Sequence, residues 1–546
     1  MENDKSIPVG NQSDNNMYSY QEEQKVPVVE ANAIRRSLGE GNPNVILENQ
    51  INNNNIINQG RVVNENSEII QGGKNPPLYW MFFVIFGIIQ IVIIILLANY
   101  YEWDEFNDPK NIDNNENNNE NNNENNYKLF QEINIIIFLG FGFLRSFLKY
   151  NSWTSIAFTF IGGALSFEFG LFTLICWRGV FKKKWHNGFF NYEHLLDSNY
   201  CSAANIISLG VILGKISLTQ YLFIIIFETI FSTFNYTLLR QKLRIIDIGG
   251  ALTVHLFGSV FGATVSFILS MTKGERDKIK YNPYFGSSYN SNILALFGTL
   301  ILISYWPSFN TALIIKDKLD KFRGIINTYL AILGSIVGTF SMSSIYNLGK
   351  IKIKDILNSS FAGAIIIAGC CHIIKHIWIS IILGFACGGL ITHFSNFISY
   401  RLKAKGFYDT SDVVYYHGIP AFFGGIVTSI VVGTFENIGG NVSNHFLYKH
   451  IGTIMNYNKN DDNEEEKINI SKYAGLHFGA IFISIIIALI SGFVAGFAIR
   501  FSDCKILKKY FNDSEFFDIN DNEHGSFPWE DEQAQLQDNY ISREGH

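Results

Sequence analysis

Twelve apolar stretches follow one another between residues 78 and 500 of this 546-residue chain. A helix of about 20 residues crosses the roughly 30 Å hydrocarbon core of a bilayer. Helices are required there because the bilayer interior has no water to satisfy an open backbone. The pattern predicts an all-α polytopic membrane protein with about 12 transmembrane helices. The predicted spans are 78–99, 132–149, 152–177, 197–214, 219–239, 246–271, 291–315, 325–344, 356–374, 377–398, 416–433 and 474–500.

Composition excludes several other classes of protein. Hydrophobic residues make up 47% of the chain and charged residues 16%, whereas soluble proteins average about 25% charged residues. A soluble enzyme, a fibrous protein and a fully disordered chain are therefore excluded. The net charge of −6 provides no basic field for nucleic acid. The six cysteines show no metal-binding spacing, so the sequence predicts neither a metal site nor a cofactor.

Polar segments flank and interrupt the apolar region. Residues 1–76 are rich in Asn, Glu, Gln and Ser and are predicted to form a disordered tail. The predicted membrane domain covers 77–500, with an Asn-rich loop at 101–130 and a polar loop at 436–472. A polar C-terminal tail, 501–546, completes the chain. Lys and Arg counts in the loops do not decide the orientation in the membrane.

Small residues recur at a spacing of four along the predicted helices. Such pairs let membrane helices approach closely. We interpret them as packing sites in a compact bundle. The pairs are Gly258 and Gly262, Gly334 and Gly338, Gly384 and Gly388, Gly475 and Gly479, and Gly492 and Gly496.

Ionisable side chains inside the spans are few, and each costs about 2.5–3.5 kcal/mol to insert, so each is a functional candidate. The candidates are Glu168, Glu228, Asp247, His255 and His417. For Glu168 and Glu228, a protonated or helix-paired carboxyl is the simpler interpretation. The other three residues are therefore the stronger site candidates.

Asp247 and His255 share one span, eight residues apart, which places the histidine about 12 Å deeper in a helix. Gly249 and Gly250 lie between them and remove side-chain bulk, so this helix is suited to line a narrow path. Asp247 is also placed to cap the start of the helix. The sequence leaves the structural cap and a direct substrate contact both open for this carboxylate.

His417 is followed directly by Gly418 and lies five spans after His255, once the first span is set aside as an addition. That offset is what an inverted repeat of five plus five helices, followed by one final long span, would produce. Inverted repeats place substrate sites at the repeat interface near the bilayer midplane. The two histidines are therefore predicted to face each other across a central path.

At these positions the chain resembles the Rh glycoproteins, the eukaryotic branch of the ammonium transporter family. The similarity runs in consistent order from about 78 to 435, and more weakly to 500. The segments with the strongest resemblance are DIGGALTVHLFGSVFG at 247–262, FGTLILISYWPSFNT at 297–311, INTY at 326–329 and HGIP at 417–420.

The resemblance implies a homotrimer in which each protomer has its own hydrophobic pore for ammonia. His255 and His417 would be the twin pore histidines, and Asp247 the carboxylate that supports ammonium recruitment. Phe309 would be one stacked gate residue, and Tyr200 would occupy the other gate position, where the family usually has Phe.

Further features follow from the same resemblance. Trp306 and Asn310, close in sequence to Phe309, would line or support the pore together with Gly249, Gly250 and Gly418. Tyr236 replaces an acidic residue that is frequent in the family, which weakens the case for an anionic vestibule. Both termini would be cytoplasmic. The protein itself would lie in the plasma membrane or in an intracellular (vacuolar or endosomal) membrane.

The predicted function is a membrane channel that recruits ammonium and conducts neutral ammonia, with carbon dioxide as a further small neutral candidate. Two alternatives stay open at this stage. An ion-coupled ammonium transporter would use Asp247, Glu168 and the histidines as a proton relay. A non-transporting membrane partner would keep the fold for assembly and would not depend on its histidines.

Overall fold

The computed structural model of the protein describes residues 76–103, 127–183, 188–190, 192–314, 318–434, 470–501, 507 and 509–517. The predicted N-terminal tail lies almost wholly outside the described residues. So do most of the two predicted polar loops and most of the C-terminal tail. The predictions for those segments stay predictions.

The described residues are almost entirely helical. The helices are α1 (Pro76–Tyr100), α2 (Tyr127–Arg145), α3 (Ser152–Lys182), α4 (Tyr192–Ile212), α5 (Leu218–Lys242), α6 (Ala251–Leu269), α7 (Lys273–Lys280), α8 (Tyr289–Thr311), α9 (Lys318–Tyr346), α10 (Ile353–Ser359), α11 (Ala362–Ile366), α12 (Ile377–Ala404), α13 (Val414–Thr434) and α14 (Ile470–Phe501). Strands β1 (Tyr101–Trp103) and β2 (Gly188–Phe190) pair in parallel. The described residues up to Ile88 form the first part of α1, and those from Ile89 onward form the membrane body.

Nine helices in the described part of the chain are long and apolar enough to cross a membrane, judged by length and composition. Helix α4 and the short pair α10 and α11 lie at two further predicted spans, and α1 lies at the first. The predicted all-helical polytopic membrane fold of about 12 helices is confirmed.

The ninth predicted span, 356–374, is a broken helix made of α10, α11 and turns. Several of its backbone carbonyls accept hydrogen bonds from groups outside the span. Asn310 Nδ2 donates to Ala364 O at 2.9 Å, and the backbone N–H of Gly249 donates to Ala368 O at 2.8 Å. Irregular backbone inside a membrane is tolerated where it is buried in protein and hydrogen-bonded in this way.

Glycine pairs bring α9 and α12 into backbone contact, as their spacing predicts. A Cβ atom at Gly338 would collide with the carbonyl oxygen of Phe385, and one at Gly388 would collide with that of Ser335. The pair on α6 meets the backbone of α4 in the same way, and the pair Gly492 and Gly496 packs against side chains of α6. Close backbone approach replaces the hydrophobic drive that lipid does not supply.

The prediction is wrong for Gly475 and Gly479 within this chain. No described atom lies within 4 Å of a Cβ placed at either position. These glycines lie on an open face of α14, where a regular spacing of small residues does not by itself create a contact.

The described part of the C-terminal tail is docked on the membrane body. The Asp513 carboxylate accepts the Thr154 backbone N–H at 2.7 Å, the Thr154 hydroxyl at 2.6 Å and the Trp153 N–H at 3.2 Å, and so caps the start of α3. Phe511 donates its backbone N–H to Gly214 O at 2.9 Å. Its ring fills the space beside Gly214, whose φ of +74° suits a residue without Cβ.

We expect Gly338→Ala to lower the thermal midpoint of the purified protein by several degrees, because overpacking costs about 1–3 kcal/mol. Gly475→Ala is the matched control. It makes the same change in a membrane helix but meets open space, so it should be neutral or slightly stabilising. Differential scanning fluorimetry in detergent measures both. Equal midpoints for the two variants would contradict backbone contact between α9 and α12.

We also expect Asp513→Ala to release the docked tail segment, because losing a helix N-cap costs about 0.5–2 kcal/mol. Hydrogen–deuterium exchange of peptides covering 509–517 should speed up about tenfold. Asp513→Asn retains one acceptor oxygen and should give an intermediate rate. Unchanged protection in the alanine variant would show that the cap does not hold the segment.

Candidate functional site

The two histidine helices share an unusual start. The first turns of α6 and α13, Ala251–Leu256 and Val414–Gly418, are π-helical, and the rest of each helix is α-helical. His255 and His417 each lie in the π-helical turns. Such wide turns are rare and occur frequently at functional sites. The shared irregularity supports the predicted equivalence of the two spans.

A buried carboxylate caps each of these helices. Asp247 accepts the backbone N–H of Leu252 at 3.2 Å and that of Thr253 at 2.9 Å, together with the Thr253 hydroxyl at 2.8 Å. Asp409 accepts the backbone N–H of Val414 at 2.7 Å. Each carboxylate lies eight residues before the histidine of its own helix. The structure thus places Asp247 as a helix cap, the structural role that the sequence left open.

The rings of the two histidines lie face to face. Their centroids are 5.4 Å apart with an interplanar angle of 25°, so the predicted facing pair is present. Both rings are buried, with 1% of His255 and 4% of His417 exposed. Within the described part of the chain, neither nitrogen of His255 nor Nδ1 of His417 has a hydrogen-bond partner.

Aromatic rings enclose the histidine pair. Trp306 lies 5.6 Å from His255 and 6.2 Å from His417 between ring centroids, and it stacks on Phe361 at 5.0 Å. Phe361 and Phe141 approach His417 at 5.5 and 5.9 Å. The walls are therefore apolar, and the histidine nitrogens are polar groups inside them.

The predicted gate residues form a stacked pair. The rings of Tyr200 and Phe309 are 4.6 Å apart and within 9° of parallel. The Tyr200 hydroxyl donates to the backbone carbonyl of Phe309, so it is bonded to the protein and the ring faces meet as two apolar surfaces. Phe309 lies 6.0 Å from His255, which places this pair directly next to the histidines.

Asn310, next to Phe309 in the sequence, connects three helices through its side-chain hydrogen bonds. Its Nδ2 donates to Ala364 O and, at 3.2 Å, to the Thr328 hydroxyl, so it joins α8, α9 and α11. An added Cβ at Gly249 would lie 2.5 Å from Asn310 Oδ1 and 2.9 Å from Ala368 O. Only glycine fits at this position, because the broken ninth span and α8 both press against it.

The other two predicted glycines also have steric reasons. Gly250 precedes the π-helical start of α6 with a φ of +69°, a conformation that other residues rarely adopt. An added Cβ at Gly418 would lie 2.7 Å from the Ser259 hydroxyl of α6. Gly250 therefore permits the backbone turn before α6, and Gly418 lets the two histidine helices approach each other.

Four polar side chains form a cluster near the Asp247 end of the bundle, in which Asp197 and Tyr236 are buried and the two arginines, Arg178 and Arg240, are partly buried. Arg178 pairs with Asp197, Tyr236 donates its hydroxyl to the same carboxylate, and Arg240 donates to the Tyr236 hydroxyl at 2.6 Å. Arg178 binds the carboxylate directly, and Arg240 is linked to it through the Tyr236 hydroxyl. The weakened case for an anionic vestibule stays a prediction.

A second charged cluster lies at the opposite end, where the 405–413 loop leads into α13. Lys215 donates to Tyr408 O at 2.7 Å, and Lys354 pairs with Asp412. Burial, and then the charge of Asp412, raise the pKa of Asp409 above its ordinary value. Burial lowers the pKa of Lys215. This cluster anchors the loop that precedes the His417 helix.

Arg145 is the residue that sequence reasoning missed. It ends α2, inside the predicted span 132–149, and is only 3% exposed. Together with His417, Phe141 and Ser411 it lines a cavity of about 20 Å³, where about 10–15 Å³ suffices for one water molecule. The sequence signal for this residue was an arginine within an apolar run, whereas the predicted ionisable candidates were all acidic residues or histidines.

The two remaining intramembrane carboxyls lie apart from the histidine pair. Glu228 accepts Asn205 Nδ2 at 3.0 Å and the Ser208 hydroxyl at 2.5 Å. Glu168 accepts Gln90 Nε2 at 3.0 Å. Both match the interpretation of carboxyls paired between helices.

Residues 110–525 match the Ammonium Transporter Family. Ammonium transporter Rh type C of Oncorhynchus mykiss is 32% identical over 366 residues, covering 65% of this chain and 72% of that protein. The same protein of Xenopus laevis is 30% identical over 373 residues, covering 65% and 75%.

Solved structures share the fold. Rh50 of Nitrosomonas europaea, from a study of conduction by the Rhesus family of channels, matches with a TM-score of 0.60 and 23% identity, covering 78% of this chain and 100% of that one. Mep2 of Candida albicans matches with a TM-score of 0.53 and 15% identity, covering 71% and 86%. The chain therefore belongs to the Rh-type branch of the Ammonium Transporter Family, a family of transporters and channels, and is a multi-pass membrane protein of ammonium or ammonia transport.

Proposed function

We propose that the chain is a channel that recruits ammonium and conducts neutral ammonia between His255 and His417. The observation that supports this most directly is the stacked histidine pair inside an aromatic enclosure. Its ring nitrogens are the polar groups that a small hydrogen-bonding guest would meet there. The path is too apolar to replace the hydration shell of an ion.

Recruitment takes place at the stacked pair of Tyr200 and Phe309. An ammonium ion held against an aromatic face gains about 0.5–2 kcal/mol from the cation–π contact. Moving it further as an ion would cost several kcal/mol of desolvation. Ammonia avoids most of this cost, so the ion loses its proton near the gate. Potassium has no proton to lose and is excluded without a size filter.

The histidines then act as hydrogen-bonding stations for the neutral guest. With the ring centroids 5.4 Å apart, the two imidazoles titrate as a coupled pair and can share one proton between them. Asp247 acts through its cap on the π-helical turn, which orients His255. Trp306 closes one side of the path, and Asn310 holds the backbone behind it.

The finer parts of the proposal follow the family resemblance. We propose a homotrimer with one pore in each protomer, both termini in the cytoplasm, and a location in the plasma membrane or a vacuolar or endosomal membrane. Carbon dioxide, which is also small and neutral, is proposed as a second gas for the same path.

Two rival functions make different demands on these residues. A proton-coupled transporter would need a relay that includes Glu168, but that carboxylate bonds to Gln90 of the first helix. Net charge movement per ammonium would identify such a transporter. A non-transporting assembly partner would tolerate loss of both histidines.

We expect purified protein in liposomes to raise internal pH rapidly after an ammonium jump, at a rate well above that of empty liposomes. The double substitution His255→Ala with His417→Ala should reduce the protein-dependent rate at least about tenfold, because it removes both hydrogen-bonding stations. Stopped-flow fluorescence of an internal pH dye measures the rate. His393→Ala, a histidine bonded to Tyr346 in α9, is the matched control and should conduct normally. A folded wild-type protein that is no faster than empty liposomes would overturn the proposal.

Tyr200→Phe should leave the ammonia flux within about twofold of the wild type, because the hydroxyl is bonded to the Phe309 carbonyl. It should lower stability by about 0.5–1.5 kcal/mol, the net value of one hydrogen bond. The same liposome assay and a thermal melt measure the two effects. A large change in flux with an unchanged midpoint would mean that the hydroxyl acts on the permeating molecule.

A further inference from the structure

Arg145 is a charged side chain in the interior of the bundle that neither the histidine pair nor the gate requires. Its Nη2 donates to Ile206 O, and its Nη1 lies 3.5 Å from the Thr159 hydroxyl. The Cζ atom lies 5.3 Å from the centre of the Phe141 ring. The guanidinium is therefore held by neutral groups.

The space around this side chain fits its guanidinium group. An added Cβ at Gly210 would lie 3.2 Å from Arg145 Nε and 2.7 Å from Val413 Cγ2. Glycine at that position of α4 leaves the room that the guanidinium uses. A buried arginine for which the neighbouring helix leaves matching space is a specific feature of the site and not an incidental residue at a helix end.

The positive charge has no acidic partner among the described residues. No carboxylate there lies within ion-pairing distance of the guanidinium. The two acidic residues of the 405–413 loop have lysines of their own, since Lys354 pairs with Asp412 and Lys215 lies near Asp409. The field of Arg145 is therefore not cancelled locally.

The Arg145 guanidinium lies beside His417, next to the proposed path. Arg145 and His417 both line the cavity of about 20 Å³, and the Phe141 ring, 5.9 Å from that of His417, lies beside both. A molecule that passes His417 on this side enters a space bounded by the guanidinium. A neutral molecule the size of ammonia fits there, whereas a cation meets a like charge in a poorly hydrated space.

We infer that Arg145 is the charge-selectivity residue of the pore, a fixed cation that blocks ammonium and other cations while neutral gases pass. A positive side chain lining a narrow pore is a general means of excluding protons and cations. The guanidinium and a cation about 6 Å from it repel each other. At an effective permittivity of about 20, this repulsion lowers the equilibrium occupancy of the cavity by the cation about a hundredfold. This inference rests on the proposed ammonia path and deepens it by naming what the path rejects.

The test compares Arg145→Met and Arg145→Gln, which remove the charge, with Arg145→Lys, which keeps it. Each full-length variant is reconstituted and measured twice, for ammonia flux by internal pH and for ammonium-evoked current under voltage clamp. The methionine variant should gain at least about tenfold in current, within the hundredfold limit set by the charge. The lysine variant should show no more current than the wild type.

The glutamine variant retains a hydrogen-bond donor for Ile206 O and decides the test if the methionine variant does not fold. Folded neutral variants with wild-type current would overturn the inference. So would a purely structural outcome, in which all three variants lose flux and none gains current. A wild type without ammonia flux would instead refute the proposed function. A wild type with a large ammonium current would refute the barrier and favour the coupled transporter.

Discussion

The bilayer interior offers no hydrogen-bonding solvent, and the rest of the structure depends on this constraint. It dictates the long apolar helices, and it also explains where the helices are irregular. The ninth span can break into α10 and α11 because neighbouring side-chain and backbone groups donate hydrogen bonds to its carbonyls. That broken segment is one wall of the path, and Gly249 and Asn310 hold it in place. Irregular backbone and the candidate site therefore occur together for one physical reason.

The same constraint governs what can pass. Inside the path, the polar atoms in reach of a guest are mainly histidine nitrogens, and the surroundings are aromatic rings. A neutral hydrogen-bonding molecule gains a partner there, whereas an ion would lose its hydration without replacement. The uncompensated charge of Arg145 adds an electrostatic penalty to this desolvation cost. An apolar path and a fixed cation both select against charge, but only the second depends on one side chain, so the two contributions are separable.

The repeat architecture connects fold and site. The two histidine helices each begin with π-helical turns and are each capped by a carboxylate eight residues before the histidine. One carboxylate lies towards the gate and the other joins the charged cluster at the opposite end. The predicted repeat agrees with the place of the two histidines on facing helices, and the two ends carry different charged groups. Close packing of Gly418 against Ser259 of α6 lets the two histidine helices approach, and the two rings stack.

The sequence by itself determined the membrane class and the approximate number of helices, and it selected Asp247, His255 and His417 as site candidates, because apolar length and the cost of buried charge are local properties that can be read residue by residue. It could not determine the break at 356–374, since that depends on acceptors and donors supplied by other helices. Whether a glycine pair packs, as at Gly338, or faces open space, as at Gly475, was likewise decided by the neighbouring helix. The proposed role of Arg145 depends on the tertiary structure alone. The sequence places this arginine near a helix end, where an interfacial position is expected, and only the fold shows that it is buried, that it has no acidic partner in the described part of the chain, and that it lines a cavity beside His417.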